Sequence, residues 1–136
     1  MSDFSPIRIL CVEDDKDTCD LIKLILNQEG FDVLTAGTME KALSSLQSEK
    51  ISLCILDGKL PDGNGTDLCR KIKEFNKNLP VIFYSAAARA SDIEEAMESG
   101  ADEYLTKPRG WDNLVETVNK QLNPIRPDFI NNQLAA

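Results

Sequence analysis

The chain has 136 residues, 42% of them hydrophobic and 28% charged, with a net charge of −8. That suits one globular domain and not two, and so acidic a surface repels phosphate backbones, so no direct nucleic-acid partner is expected. No stretch approaches the ~18 apolar residues of a membrane span, and the N-terminus lacks the basic-then-apolar pattern of a secretory signal, so a cytoplasmic protein without membrane contact is expected.

Short apolar runs alternate with segments of helical period. Residues 7–12 (I-R-I-L-C-V) form a nearly continuous apolar run, as a strand buried on both faces should. Residues 16–28 follow as a strongly apolar helix carrying Cys19, Leu21, Ile22, Leu24, Ile25 and Leu26, with Gly30 as its stop. Residues 31–36 read as a second strand. Thr38 caps a helix through about Ser48, with Met39, Ala42, Leu43 and Leu46 on its inner face.

Residues 53–56 (L-C-I-L) are a third, wholly apolar strand. The stretch 60–65 (L-P-D-G-N-G) is a loop by composition, and a third helix covers 66–75. Pro80 introduces a fourth strand over 81–84. Ser91-Asp92-Ile93-Glu94 has the form of a capping box opening a fourth helix that ends at Gly100. Residues 103–106 make a fifth strand and 111–122 a last helix, stopped before Pro124. The domain therefore spans 1–123, and 124–136 reads as a C-terminal tail.

Five strands alternating with five helices predict an α/β fold, a doubly wound parallel sheet. Ligands bind such sheets beyond the carboxyl ends of the strands. Glu13, Asp14 and Asp15 follow the first strand and Asp57 the third. Ser85 follows the fourth, and Lys107-Pro108 the fifth. Taken singly, each is commonplace: Asp14 or Asp15 would cap a helix, and Asp57 a turn. Together they gather three carboxylates, a hydroxyl and an ammonium at one sheet edge.

Three like charges so close need a counter-ion. A hard divalent cation that keeps places for water and phosphate fits, and Mg²⁺ fits better than Ca²⁺. Three carboxylates, Mg²⁺ and Lys107 sum to zero. A phosphoryl dianion on Asp57 would make the site −1 with the metal and −3 without it. There is no histidine, which excludes Ser-His-Asp and Cys-His centres and a phosphohistidine carrier. The four cysteines form no C-x-x-C pair and read as small hydrophobes in a reducing compartment.

The motifs at 9–15 (I-L-C-V-E-D-D), 54–65 (C-I-L-D-G-K-L-P-D-G-N-G), 81–86 (V-I-F-Y-S-A) and 100–108 (G-A-D-E-Y-L-T-K-P) closely resemble those of receiver domains in bacterial two-component response regulators. The resemblance covers about residues 7–122. It implies a flavodoxin-like sheet of order 2-1-3-4-5. It implies Asp57 as phosphoacceptor, and Glu13, Asp14, Asp57 and the backbone carbonyl of Lys59 as Mg²⁺ ligands. Lys107 resembles the partner of the phosphoryl group, Ser85 the switch hydroxyl and Tyr104 the switch aromatic. Pro108 resembles a proline whose peptide bond is often cis.

The implied activity is acceptance of a phosphoryl group from a sensor histidine kinase or a histidine phosphotransfer protein. The implied output is a shift of the face built from the fourth helix, fifth strand and fifth helix, read by a downstream protein target. The chain is then a signalling module and not an enzyme, with at most slow self-dephosphorylation. Arg109 departs from the family's usual Phe. Gly58, Ala86 and Ala87 leave the site mouth open, and Lys59 can project toward it.

Three other readings fit less well. A haloacid-dehalogenase phosphatase needs D-x-D, where Asp57 is followed by Gly58 and Lys59. An FMN carrier needs a phosphate loop where Glu13-Asp14-Asp15 stands. A pseudo-receiver would lack the complete acidic set with Ser85 and Lys107. No output domain is visible after Leu122, so the chain reads either as a single-domain regulator or as part of a longer one.

Overall fold

A computed structural model describes residues 6–108 and 111–123. Five strands, β1 (Arg8–Val12), β2 (Asp32–Ala36), β3 (Leu53–Leu56), β4 (Val81–Ser85) and β5 (Glu103–Thr106), form one sheet of order β2-β1-β3-β4-β5. Every pairing is parallel; Val12 stands opposite Ala36 and Leu56, and Ser85 opposite Thr106. The expected fold and strand order are therefore observed. Five helices alternate with the strands: α1 (Lys16–Gln28), α2 (Met39–Ser48), α3 (Gly65–Phe75), α4 (Ala90–Glu98) and α5 (Trp111–Leu122).

Alternate strand residues serve two separate core layers. Leu10, Val12, Cys54, Leu56, Val81 and Phe83 pack against α2, α3 and α4. Ile9, Cys11, Leu53, Ile55, Ile82 and Tyr84 pack against α1 and α5. Burial on both faces explains why β1, β3 and β4 read as almost unbroken apolar runs. The helices cover the sheet with a single stripe each. On α1 only Ile22 and Leu26 are fully buried, whereas Leu21 and Leu24 are exposed, so this helix is less enclosed than its composition suggests.

The acidic run after β1 divides its labour. Asp15 caps α1, its carboxylate accepting the Thr18 N–H at 2.9 Å, which leaves Glu13 and Asp14 for other work. Thr38 caps α2 as expected, accepting the Lys41 N–H at 3.1 Å. A second cap comes from 23 residues away: Asp62 accepts the Met39 and Glu40 N–H groups at 2.8 and 3.1 Å.

Two local expectations are corrected. The loop after β3 contains a two-residue antiparallel ribbon, Lys59–Leu60 with Gly63–Asn64, too short to leave a periodic signal. Helix α4 begins at Ala90, so Ser91 lies inside it and does not cap it. Arg89 holds the N-cap position, and its N–H donates to Asp92 at 3.2 Å. The boundaries of β1, β2, α3 and β4 differ from those read in sequence by one residue each. Arg109 and the tail 124–136 lie outside the described residues. No helix among the described residues is long and apolar enough to cross a membrane.

Candidate functional site

Parallel strands bring their carboxyl ends to one edge, and the middle of that edge is where the sequence places its acids. Glu13 follows β1 and Asp57 follows β3, and these two strands are direct neighbours. The Asp57 N–H donates to the Val12 carbonyl at 3.0 Å and the Glu13 N–H to the Ala36 carbonyl at 2.9 Å. Both acids thus leave the sheet from backbone still held by ladder-like hydrogen bonds. One carboxylate oxygen from each of Glu13, Asp14 and Asp57 lies within 4.8 Å of the others. Glu13 is buried, Asp57 half-buried and Asp14 exposed.

Lys107 enters from the end of β5. Its N–H donates to the Ser85 carbonyl at 2.8 Å, which fixes the start of its side chain beside β4. The peptide bond to Pro108 is cis, as the resemblance implied. The Lys107 ammonium donates to Glu13 Oε1 at 2.7 Å and stands 3.7 Å from Asp57 Oδ2. Its position over the Tyr84 ring, 5.6 Å from the centroid, completes its surroundings.

The charges pull in opposing directions. Burial raises the Glu13 carboxyl above its ordinary value; the Lys107 hydrogen bond and the Asp15 N–H oppose this, and the Asp57 charge adds to it. Burial works to lower the Lys107 ammonium, but its hydrogen bond to Glu13 and the charges of Asp57 and Glu13 outweigh it, and the net shift is upward. One ammonium against three carboxylates leaves −2. At an effective dielectric near 20, a pair of unit charges 4 Å apart interacts by about 4 kcal/mol, so that surplus is costly. A divalent cation removes it, and oxygen-only donors suit Mg²⁺. The residues present therefore fit that metal.

The hydroxyl and the aromatic sit on the other side of Asp57. Ser85 is the last residue of β4 and is buried, with Oγ accepting the Ala87 N–H at 3.2 Å. A Cβ on Gly58 would stand 2.9 Å from Ser85 Oγ, so a larger residue there would make the hydroxyl shift. Tyr104 stacks on Phe83, with ring centroids 5.8 Å apart and planes within 7° of parallel, and its hydroxyl donates to the Ala87 carbonyl. Burial pushes its phenol up, while contact with Ser85 pulls the other way.

A cavity of about 520 Å³ opens over this arrangement, lined by Asp57, Gly58, Lys59, Ser85, Tyr104 and Lys107 among others. Lys59 is exposed at its mouth, as are Ala86 and Ala87. Asp57, Lys59, Ser85, Tyr104 and Lys107 therefore line one cavity, and Glu13 and Asp14 reach Asp57 with their carboxylate oxygens. Two contributions were not foreseen. Gly65 packs against the Asp57 backbone, where a Cβ would overlap the Asp57 carbonyl oxygen and come within 3.0 Å of Phe83 Cε2. The G at the end of L-P-D-G-N-G was a visible sign of it. The Tyr84 ring beneath Lys107 had no such sign, since it reads as one more apolar strand residue.

Comparison with known proteins agrees with this geometry. The profile of the response regulator receiver domain matches residues 9–119. A response regulator receiver domain protein (CheY-like) from Methanospirillum hungatei superposes with a TM-score of 0.84 at 31% identity, covering 91% of this chain and 99% of that one. An uncharacterized 14.6 kDa protein of Leptolyngbya boryana is 35% identical over 94% of this chain and 99% of its own length. The DNA-binding response regulator MtrA of Mycolicibacterium paratuberculosis is 34% identical over 85% of this chain but only 51% of its own length. The chain thus spans about half of that relative, whose name includes DNA binding. The expectation of no nucleic-acid partner, drawn from this domain's charge, is not supported. Profile, superposition and site geometry agree, and the chain belongs to the response regulator receiver domain family.

Proposed function

We propose that the chain accepts a phosphoryl group on Asp57 from a sensor histidine kinase or a histidine phosphotransfer protein, and passes the resulting state to a downstream protein target. The observation that carries this reading is the convergence of the Glu13, Asp14 and Asp57 oxygens within 4.8 Å, with the Lys107 ammonium 3.7 Å from Asp57. In the transfer, an Asp57 oxygen forms a bond to phosphorus as the bond from phosphorus to the donor imidazole nitrogen breaks. No base is required, because a carboxylate nucleophile has no proton to lose; the chain contributes position and charge.

In this reading Glu13, Asp14, Asp57 and the Lys59 carbonyl hold Mg²⁺, which supplies positive charge for the phosphoryl oxygens. Lys107 supplies the remaining positive charge. Ser85 donates its hydroxyl to a phosphoryl oxygen, giving up the Ala87 N–H it now accepts. Tyr104 follows by leaving the Ala87 carbonyl and turning inward, which shifts the face of α4, β5 and α5. The exchange belongs to the cytoplasm, and turnover is limited to slow loss of the phosphoryl group, tuned by Lys59 at the open mouth. Substituting Lys59 and finding an unaltered aspartyl-phosphate lifetime would remove it from that role.

Binding of beryllofluoride, a phosphoryl mimic, in the presence of Mg²⁺ tests the reading. The wild-type chain should bind it only with the metal, and Asp57→Asn should abolish binding. Equal binding by Asp57→Asn would overturn the assignment.

A further inference from the structure

Tyr84 has no part in the chemistry described above, yet its ring borders the Lys107 ammonium. It is 2% exposed, lies on the α1 and α5 side of the sheet, and pairs across to Leu105, two residues before Lys107. The Lys107 ammonium is bounded by Glu13 Oε1 at 2.7 Å and by the Tyr84 ring, with 5.6 Å to its centroid. That separation is within the range where a ring face attracts a cation.

The two neighbours hold the ammonium in different ways. Glu13 neutralises it and competes with any other anion for it. The ring attracts it without neutralising it, and burial keeps the phenol protonated, so the ring adds no negative charge. We propose that Tyr84 is a positioning residue for Lys107: its ring keeps the ammonium at the level of the acid cluster while the lysine exchanges Glu13 for the phosphoryl group on Asp57. This inference rests on the phosphoacceptor reading. The exchange needs a lysine that stays in place when its carboxylate partner is given up, and an aliphatic residue at 84 would offer the ammonium nothing to stay against.

The test uses Tyr84→Met, which keeps the bulk without the ring, and Tyr84→Phe, which keeps the ring. Beryllofluoride affinity at saturating Mg²⁺ should fall about three- to tenfold in Tyr84→Met and recover in Tyr84→Phe. In a Lys107→Ala background the Tyr84→Met loss should disappear, because the ring then has no ammonium to hold. The Lys107 ε-methylene protons should show a ring-current shift in the wild type and in Tyr84→Phe, and not in Tyr84→Met. Equal losses in Met and Phe, a Met loss that persists without Lys107, or unshifted ε-protons in the wild type would each overturn the proposal; the last needs no variant to fold. Failure of the wild type to bind beryllofluoride would refute the phosphoacceptor reading itself. Normal wild-type binding with an unaltered Tyr84→Met would refute only the role of Tyr84.

Discussion

The ammonium of Lys107 is bound to Glu13, at 2.7 Å, and only approaches Asp57, at 3.7 Å. The lysine therefore stands between a buried carboxylate, which it holds, and the residue that would carry a phosphoryl group under the proposed function. It also competes with any metal for the Glu13 carboxylate. Lys107→Ala separates these effects. Mg²⁺ should bind several-fold more tightly, because a competing positive charge is gone, while beryllofluoride affinity should fall at least about tenfold. Calorimetric titration with each reads both signs, and weaker Mg²⁺ binding would contradict the competition.

Gly65 fixes the position of the Asp57 backbone by its lack of a side chain. Gly65→Ala would force the Asp57 carbonyl, or the Phe83 ring beside it, to move. Overpacking of this kind typically costs about 1–3 kcal/mol. Denaturant unfolding should show that loss, and beryllofluoride affinity should fall with it, since the displaced atoms belong to Asp57 itself. Full stability with full affinity would show that the loop yields freely.

Asp62 ties the loop after β3 to the start of α2. The Met39 N–H, followed by that of Glu40, holds its carboxyl below the ordinary value of 3.8. A depressed folded value stabilises the fold above the unfolded pKa, and the contribution is lost as pH falls through the folded one. Asp62→Asn should therefore melt a few degrees lower near neutral pH. The difference should shrink steadily below about pH 4. A difference that is constant across that window would point to packing and not to the charged cap.

Cys19 should be the reactive thiol. It is half-buried, with Sγ 3.2 Å from the Glu13 carbonyl, and contact with Cys11 holds it below the ordinary thiol value despite burial and the nearby acids. Burial pushes Cys54 up to about 12, and Cys11 and Cys69 are also raised and buried. A disulfide reagent near neutral pH should label one thiol quickly in the native protein, and Cys19→Ser should remove that phase. Fast labelling that survives this substitution would show that a core layer opens readily.

What the sequence made legible follows from where water is excluded. β1, β3 and β4 are covered on both faces, so nearly all their residues are apolar, and the polar residues at their carboxyl ends, Glu13, Asp57 and Ser85, marked the functional edge. The same logic could not show which carboxylate Lys107 takes, because Glu13 and Asp57 carry equal charge and differ only in reach. It could not find the second cap on α2, since nothing local to Met39 names Asp62. The start of α4 was misplaced because Ser91-Asp92-Ile93-Glu94 matches a capping box by letter. Asp92 does accept an N–H, but from Arg89, and Ala90, a strong helix former, extends the helix past Ser91. Tyr84 escaped notice because a buried aromatic in a strand looks like core until a cation is seen against its face.

The Glu13–Lys107 contact joins residues 94 positions apart, near the two ends of the folded domain. Such a contact closes a loop of most of the domain and needs the last strand to have been made. A nascent chain that has made β1 and β3 but not β5 carries the acids without their ammonium. It cannot balance the charge of its own acids. Under the proposed function, a chain without its last strand lacks the ammonium that its acceptor would need, so completeness of the fold is itself a condition for receiving a signal.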